Sequence, residues 1–170
     1  MDTTDRPDGS WTLQDARAWL REQRSDGVRC PCCNQFAKIY KRPINAGIAS
    51  AMIRMYRVGK TNWIHKPTVL KGVGAAARDE SIARYWGLIE EEIEVKCDDG
   101  GRAGWWRITP KGEQWILGQI LVPKYAYIYD ARLLEVDGPP TSIRTALGLK
   151  FDYEELMGPA YPGRETLFDL

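Results

Sequence analysis

The spacing of apolar residues predicts an amphipathic helix near the start of the chain, over residues 13–24. The apolar positions of this helix are Leu13, Ala16, Trp19 and Leu20. Because they recur every three or four residues, they lie on one helix face. Thr12 is suited to cap the helix, with Asp15 in the capping-box position three residues later, and Gly27 is suited to end it.

A second, more apolar helix is predicted over residues 46–57. Its apolar stripe consists of Ile48, Met52, Ile53 and Tyr56. Asn45 is a favourable N-cap and Gly59 a favourable stop. Between the two helices, residues 36–41 alternate large apolar residues with small or basic ones, which predicts a short strand closed by Pro43.

The central part of the chain alternates short helices with short strands. The predicted elements are an extended piece at 63–65, a weak helix from Pro67, a third helix over 75–86, strands over 89–95 and 104–109, and a helix from Pro110. Gly87 ends the third helix, and a polar, glycine-rich loop carrying Arg102 joins the two strands. In the helix after Pro110, the apolar residues Trp115, Ile116 and Ile120 are suited either to pack on the domain or to pair with a second subunit.

Beyond this region the pattern predicts a second hairpin and two short helical turns. The hairpin strands cover 122–129 and 133–136 and turn at 130–132. Thr141 is suited to cap the next helix, and residues 151–157 supply one more apolar turn. The sequence therefore predicts an α+β fold. Its parts are an N-terminal helix, cysteine turn and basic strand at 1–44, a central domain at 45–120, a hairpin with short helices at 121–157, and a flexible tail at 158–170.

Composition limits the class of protein. The chain has 170 residues, 44% of them hydrophobic, which is enough for one core of ordinary size. It contains no run of 18 apolar residues, and its first five residues carry two aspartates and no basic side chain, unlike the basic start of a leader peptide. We therefore expect a cytoplasmic protein with no membrane partner.

The net charge of +1 conceals a strong asymmetry along the chain. Residues 29–86 carry 11 basic groups against two acidic ones, a net charge of +9. The segments before and after this block carry −2 and −6. A basic block in an otherwise neutral protein is typical of a surface that meets phosphates. The alternative is that these lysines and arginines only solvate helix faces.

Two short segments resemble a known class of regulators. Residues 83–90 (ARYWGLIE) and 106–112 (WRITPKG) are similar to the winged helix-turn-helix domains of the MarR, ArsR and PadR families. In those families a glycine after the recognition helix, a Leu-Ile pair and a Thr-x-x-Gly at the end of the wing recur in that order. The resemblance covers roughly residues 45–118 and implies a winged helix whose recognition helix is 75–86. The whole chain also resembles small proteins found in bacteriophage genomes.

The resemblance implies that the chain binds DNA, as the charge pattern also suggests. The predicted nucleic-acid contacts are Lys38, Lys41, Arg42, Lys71, Arg78, Arg84 and Arg102. Arg78 and Arg84 are expected to lie along the major groove. Arg102 on the wing is expected to bind the DNA backbone, as are the cations of the basic strand. The alternative role of Arg84 is a salt bridge to Glu80. The alanine-rich first turn of the third helix, followed by Asp79 and Glu80, favours either sequence-tolerant binding of DNA or contact with a protein partner through this helix.

Three tyrosines form a ladder in the second hairpin. Tyr125, Tyr127 and Tyr129 alternate along the predicted strand and so share one face. A ladder of this kind is suited to stack single-stranded bases. It is more often the packed face of a small sheet, and we favour that interpretation because the intervening Ala126 and Ile128 are no more polar.

The cysteine cluster predicts a structural zinc ion as the cofactor. Cys30 and Cys33 have the spacing that lets two thiolates reach one Zn²⁺ from a tight turn, and Cys32 is a candidate third ligand. A structural zinc needs four ligands, and the further candidates are His65 and Cys97. The alternatives are reduced thiols without a metal, and a packed, structural role for His65.

The sequence carries no phosphate-binding glycine loop and no hydrolase motif. We therefore expect a binding protein rather than an enzyme. The predicted function is nucleic-acid binding as a phage or bacterial DNA-binding regulator, with a homodimer as one arrangement. The alternative is an interaction module that binds and modulates a host protein such as a polymerase or a defence complex.

Overall fold

The structure is a computed structural model that describes residues 9–70, 80–92 and 104–158. These residues form a mixed α+β fold with small antiparallel sheets, which confirms the predicted fold class at that level. The helices are α1 (Leu13–Gln23), α2 (Ala46–Gly59), α3 (Lys66–Val69), α4 (Pro110–Ile116), α5 (Ile143–Leu147) and α6 (Tyr153–Met157), with a 3₁₀ helix at Glu80–Trp86. The strands are β1 (Val28–Arg29), β2 (Phe36–Ala37), β3 (Tyr40–Pro43), β4 (Ile64–His65), β5 (Ile89–Glu91), β6 (Trp105–Ile108), β7 (Val122–Tyr129) and β8 (Arg132–Thr141).

The chain folds into two compact units. The first unit holds the described residues 9–42 and 126–135, and the second unit holds the remaining described residues. The strands form three sheets, with the orders β1-β2, β3-β7-β8 and β4-β6-β5. The β7–β8 hairpin contributes its turn to the first unit and its other end to the second.

The first unit begins with α1, whose N-terminus forms the predicted capping box. Asp15 N–H donates to Thr12 Oγ1 at 3.2 Å, and Thr12 N–H donates to Asp15 Oδ2 at 3.1 Å. After the helix, Gly27 has a φ of +91°, and a Cβ there would lie 2.6 Å from the Phe36 ring. The turn from α1 into β1 therefore requires glycine.

The strand predicted over residues 36–41 is interrupted in the structure. β2 ends at Ala37 and β3 begins at Tyr40. Between them, Ile39 N–H donates to the backbone oxygen of Arg24 at 2.9 Å. This bond holds the segment against the end of α1, so the chain leaves the β1-β2 sheet and joins β7 in a different one.

The second unit is built around α2. Its predicted cap is confirmed, because Asn45 Oδ1 accepts from Ile48 N–H at 3.0 Å. Ten of its 14 residues are buried, and it packs against the 3₁₀ helix, β6, α5 and α6. A helix that is buried on most sides is typical of the centre of a core.

The β4-β6-β5 sheet packs on α2 through its middle strand. Ile64 lies opposite Trp106, and Ile89 lies opposite Ile108; all four side chains are buried. Because side chains alternate along a strand, the neighbouring Trp105 lies on the other face and is exposed.

The 3₁₀ helix is the described end of the predicted third helix. Three residues per turn align Ala83 with Trp86, and both are buried. Arg84 points away from them and is exposed. The preceding residues 71–79, like residues 93–103 of the predicted strand and wing loop and the tail after Gly158, lie outside the described residues.

The two segments that resemble regulators meet at one joint, formed by Gly87, Leu88, Thr109 and Gly112. Thr109 Oγ1 accepts from Gly112 N–H at 3.0 Å, which caps α4, and donates to the Gly87 oxygen at 2.7 Å. A Cβ on Gly112 would lie 2.0 Å from the Leu88 oxygen. The joint therefore fixes the start of α4 directly on the chain that enters β5.

Helix α4 packs on its own unit. Trp115 and Ile116 are both 0% exposed, and Trp115 Nε1 donates to the Thr141 oxygen at 3.0 Å. Of the two roles expected for these side chains, the structure therefore shows the intramolecular one. No helix among the described residues is long and apolar enough to cross a lipid bilayer.

The predicted cap of α5 is wrong by one residue. Ser142 Oγ accepts from Thr145 N–H at 3.0 Å and caps the helix. Thr141 is instead the last residue of β8, and its hydroxyl donates to the Pro139 oxygen at 3.0 Å. The strand β8 is longer than the apolar pattern predicted. Because it includes Thr141, the helix cap falls on the next residue.

Candidate nucleic-acid interface

Four of the seven predicted nucleic-acid contacts lie in the described part of the chain. Lys38, Lys41 and Arg42 belong to the first unit, and Arg84 belongs to the second. The other predicted contacts, Lys71, Arg78 and Arg102, lie outside the described residues. The structure thus groups the three cations of the basic strand within one unit.

Two of these cations, Lys38 and Lys41, line a cavity of about 630 Å³ in the first unit, which we call the strand cavity. Its lining residues are Ser25, Lys38, Ile39, Tyr40, Lys41, Tyr127, Leu134 and Glu135. A volume of this size is typical of sites that hold a small molecule or a fragment of a larger one. The strand cavity therefore has room for a ligand as well as the charge to attract an anion.

Two aromatic rings contact cations of the basic strand. Lys41 Nζ lies 5.5 Å from the centre of the Tyr127 ring, and the Arg42 guanidinium lies 5.5 Å from the centre of the Tyr40 ring. At exposed positions such contacts contribute only about 0.5–1 kcal/mol, so they guide the side chains without fixing them. Within the described ranges, Lys38 and Arg42 form no ion pair.

The tyrosine ladder lies on the more open face of β7. Ala126 and Ile128 are buried on the opposite face, whereas Tyr125, Tyr127 and Tyr129 are half-buried. The alternation of the strand is therefore as predicted, but its more buried face carries the small and aliphatic residues.

Within the ladder, the three tyrosines have different neighbours. The Tyr125 ring lies over Gly138, where a Cβ would approach it to 2.6 Å. The Tyr129 ring lies 4.5 Å from the Arg24 guanidinium carbon. Tyr127 lines the strand cavity. The packed interpretation thus fits Tyr125 and Tyr129, while Tyr127 is half-buried in the wall of the strand cavity, under Lys41.

Sequence reasoning did not find the remaining wall of the strand cavity. Ser25 follows the end of α1, and Leu134 and Glu135 lie on β8. These residues are far apart along the chain, and they reach one cavity only because β3 pairs with β7. The second hairpin was predicted, but no pattern in the sequence indicated that it pairs with the basic strand.

Arg84 contacts residues of its own unit. Its Nη1 lies 3.8 Å from Glu91 Oε2, and its Nη2 donates to the Tyr85 hydroxyl at 3.2 Å. The structure therefore shows a salt bridge to Glu91, and the side chain of Glu80 lies outside what is described. A half-exposed pair at this distance is worth at most about 1 kcal/mol, so a phosphate can compete for Arg84.

The cysteine turn is held by hydrogen bonds to Cys30. Its N–H donates to the Gln35 oxygen at 2.7 Å, and its oxygen accepts from Asn34 N–H at 2.9 Å. The backbone N–H of Cys33, and then that of Cys32, hydrogen-bond to its sulfur and lower the pKa of Cys30. These bonds favour the thiolate, the form that binds metals.

The four predicted zinc ligands do not form one group in the structure. Cys30, Cys32 and Cys33 are free cysteines of the first unit, whereas His65 belongs to the second. Across residues 9–70, 80–92 and 104–158, no group of three or more His, Cys, Asp or Glu is placed to hold a metal ion. Cys97, the remaining candidate ligand, lies outside the described residues. Zinc binding stays a prediction.

His65 is exposed, so the expectation that it is packed is wrong. Strand alternation turns Ile64 toward the core and His65 outward. Its Nδ1 lies 2.7 Å from Thr68 Oγ1, and its ring centre lies 5.6 Å from that of Trp105. The histidine thus forms a small surface cluster at the start of α3.

Comparisons of the chain with protein-family models, with curated proteins and with solved structures find no match. What the strand cavity can do therefore follows from its own chemistry. Lysine and arginine side chains bind phosphate oxygens. Tyrosine rings stack on planar bases. A carboxylate accepts hydrogen bonds from amino groups.

Proposed function

We propose that this chain is a non-catalytic protein that binds nucleic acid, with DNA as its ligand, as a phage or bacterial DNA-binding regulator does. The observation that carries the proposal is the strand cavity, which is lined by Lys38 and Lys41 together with Tyr40 and Tyr127. Cations for the phosphates and rings for the bases are the two features that nucleic-acid sites combine.

The charge of the first unit supports the proposal. Its described residues carry eight basic and five acidic side chains, a net charge of +3. Three of the eight cations lie close together along the segment that borders the strand cavity: Lys38, Lys41 and Arg42. A local excess of positive charge raises both the affinity for phosphates and the rate of encounter with them.

The architecture of the second unit supports a winged helix as the finer description of its fold. Helix α2, strand β4, helix α3, the 3₁₀ helix and strands β5 and β6 follow one another in the order that the family resemblance implies. The sheet order β4-β6-β5 agrees with a wing hairpin whose return strand pairs with the strand between the first two helices. In a winged helix, Arg84 would lie on the recognition helix, near the DNA.

The experiment is a titration of labelled duplex and single-stranded DNA with the full-length protein over a range of salt concentrations. We expect log Kd to rise linearly with log salt, because bound phosphates release counterions. Replacing Lys38 and Lys41 together by alanine should weaken binding at least about tenfold at low salt and should reduce the salt slope by about 2, at roughly 0.9 per lost phosphate contact.

The matched control removes the same charge elsewhere in the first unit. Arg17 and Arg21 are exposed on α1 and do not line the strand cavity. Their joint replacement by alanine should weaken binding much less than the Lys38→Ala/Lys41→Ala change. Equal losses in the two double variants would mean that only overall charge matters, and the absence of salt-dependent binding to either DNA would overturn the proposal.

The second candidate function is binding of a host protein, and the exposure of β8 favours it. β8 is an edge strand of its sheet, and Leu133 and Leu134 are 41% and 42% exposed. Exposed apolar residues on an edge strand are typical of surfaces that another chain covers or extends. Salt separates the two candidates, since a protein partner held by apolar contacts should bind with little dependence on ionic strength.

A further inference from the structure

Helix α1 places two carboxylates and a tryptophan on one side of the first unit. Asp15, Trp19 and Glu22 follow one another at intervals of four and three residues, so they share one helix face. Arg17 and Arg21 fall on the other side of the helix, because each residue turns it by about 100°. The charges of α1 are therefore separated, with the acidic face beside a large aromatic ring.

The acidic face borders a cavity of about 420 Å³, which we call the helix cavity. Its lining residues are Ser10, Trp11, Asp15, Ala18, Trp19 and Glu22. Trp11 directly precedes Thr12, the residue that caps α1, and its ring is 38% exposed. The wall that the described residues form thus contains two tryptophans and two carboxylates, and no lysine or arginine.

Both carboxylates have hydrogen-bonding capacity that the described residues leave open. Glu22 is exposed, and it makes neither a hydrogen bond nor an ion pair with a described residue. Asp15 uses its Oδ2 in the capping box with Thr12, whereas its Oδ1 accepts no bond from the described part of the chain. Neither carboxylate has a lysine or arginine three or four residues away, the spacing at which helical ion pairs form. The acidic face of α1 is therefore not neutralised by its own helix.

An arginine of the second unit shows which cation suits a ring and a carboxylate together. The Arg107 guanidinium carbon lies 4.6 Å from the centre of the Trp63 ring, and the same guanidinium pairs with Glu90. A guanidinium is planar and carries its donors around its edge, so it stacks on a ring and binds a carboxylate at the same time. A lysine ammonium has no flat face and combines the two contacts less well.

We propose that the helix cavity binds an arginine side chain of a partner protein, with the guanidinium stacked on Trp19 and paired with Glu22. These two residues are three positions apart and so are neighbours on the helix surface. Trp11 supplies a second ring in the wall, and Asp15 adds negative charge. The opposite charges of the cavity wall and the guanidinium favour this occupant over an anion or a neutral group.

The exposure of the helix cavity favours a side chain that is presented by a protein over a free small cation. Every lining residue except Trp19 is exposed, so the cavity is shallow. A small cation would make few contacts there, whereas an arginine on a protein surface is also held by the contacts around it. The helix cavity and the strand cavity have no described lining residue in common, so this interaction surface is distinct from the proposed nucleic-acid site.

The experiment follows the indole N–H signals of the isotope-labelled, full-length protein by NMR while a short blocked peptide, Gly-Gly-Arg-Gly-Gly, is added. Omission of single signals in Trp11→Phe and Trp19→Phe assigns two of the seven tryptophans. We expect the Trp11 and Trp19 signals to shift with one common Kd. The peptide with lysine in place of arginine should bind at least about threefold more weakly, because it lacks the stacking face. The peptide with citrulline, which is neutral and has nearly the shape of arginine, should cause no saturable shift.

Variants with exposed substitutions separate the carboxylate and ring contacts from overall charge. Glu22→Gln should raise the Kd of the arginine peptide at least about threefold, within the range of exposed ion pairs. Trp11→Leu should raise it less than Glu22→Gln, because Trp11 is only the second ring. The matched control is Glu135→Gln, which removes the same charge from the same unit at an exposed position outside the helix cavity. It should leave the Kd unchanged.

Several outcomes would overturn this assignment. They are equal binding of the arginine and lysine peptides, a Kd that Glu22→Gln does not change, and shifts of equal size at Trp105, an exposed tryptophan of the second unit. Tetramethylammonium binding as tightly as the arginine peptide would assign the cavity to a free organic cation instead, and shifts on dilution of the protein alone would assign it to a second copy of this chain. Absence of any shift at Trp11 and Trp19 would also overturn it, and none of these results would alter the DNA titration that tests the proposed function.

Discussion

At the scale of single residues, Tyr56 shows how burial and one hydrogen bond tie a titratable group to stability. Its side chain is 7% exposed, and its hydroxyl donates to Glu113 Oε1 at 3.0 Å. Burial, followed by the bond to Glu113, raises the pKa of Tyr56 from 10.0 to about 12. The neutral form is thus favoured in the folded state.

We expect Tyr56 to make stability depend on pH in the alkaline range. Its pKa is higher in the folded state than in the unfolded one, so its contribution is complete below pH 10.0 and is lost as the pH rises toward about 12. Tyr56→Phe should lower the free energy of unfolding near pH 8 by about 1 kcal/mol and should flatten this decline. Urea denaturation at several pH values between 8 and 11.5 measures both effects.

The control for this variant is Tyr40→Phe. Tyr40 is 46% exposed, and its hydroxyl makes no hydrogen bond with a described residue. Its replacement should change the free energy of unfolding by less than about 0.5 kcal/mol, as surface changes generally do. An unchanged pH slope in Tyr56→Phe would contradict the role assigned to Tyr56.

Residue-level predictions from the sequence succeeded where the partner is close along the chain. The caps formed by Thr12 and Asn45 bond to groups three residues away, so local sequence determines them. The partner of Tyr56 is 57 residues away, and nothing local indicates it. The same holds for Glu135, which reaches the strand cavity only through the pairing of strands.

At the scale of elements, the joint between β5 and α4 explains why position 112 is glycine, a residue that is part of the family resemblance. Helix α4 begins at Pro110, and its third residue is Gly112. The absence of a side chain lets the Leu88 oxygen and the Ile108 side chain approach closely. A close backbone contact is one of the conditions that only glycine meets.

We expect Gly112→Ala to destabilise the protein although alanine favours helices. The added Cβ would lie 2.0 Å from the Leu88 oxygen and 2.9 Å from Ile108 Cγ2, and a backbone atom cannot swing away as a flexible side chain can. The clash should outweigh the helix-propensity gain of about 1 kcal/mol. We expect a net loss of about 2 kcal/mol or more, of the order found for overpacked cores, measured by thermal or urea unfolding.

Gln114→Ala is the matched control in the same helix, because Gln114 is exposed. It should be neutral within about 0.5 kcal/mol. A Gly112→Ala protein as stable as the wild type would mean that α4 does not sit on the Leu88 backbone in solution.

Element boundaries were least predictable where tertiary pairing decides them. The alternation at residues 36–41 predicted one strand, but Ile39 bonds to the Arg24 oxygen, and the strand breaks there. Similarly, β8 continues through Thr141, beyond its last apolar residue, Val136. A strand extends as long as the neighbouring strand supplies hydrogen-bond partners. The local sequence pattern does not indicate which strand that neighbour is.

At the scale of the whole molecule, the two units differ in how much core supports them. The second unit surrounds the buried helix α2, whereas β1 and β2 in the first unit are strands of two residues each. Amide protection follows local contact density and burial. The units should therefore open with different free energies.

We expect hydrogen exchange to separate the two units. Amides of α2 should exchange at least about 1,000-fold more slowly than those of β1 and β2, since the former need opening of the core and the latter only local fraying. Exchange measured by mass spectrometry on peptides covering residues 28–37 and 46–59 tests this. Equal rates in the two peptides would mean that the units open together.

The sequence by itself determined the features that depend on near neighbours: the α+β class, the helices α1 and α2 with their caps, the β7 strand, and the grouping of cations at Lys38, Lys41 and Arg42. Only the tertiary structure decided which strand lies beside the basic segment, and hence that Tyr127 and Glu135 share a cavity with it. The physical reason is that periodicity and capping act over a few residues, while strand pairing joins residues about 90 apart in this chain. A ligand site assembled from distant segments is therefore visible only once those segments are paired.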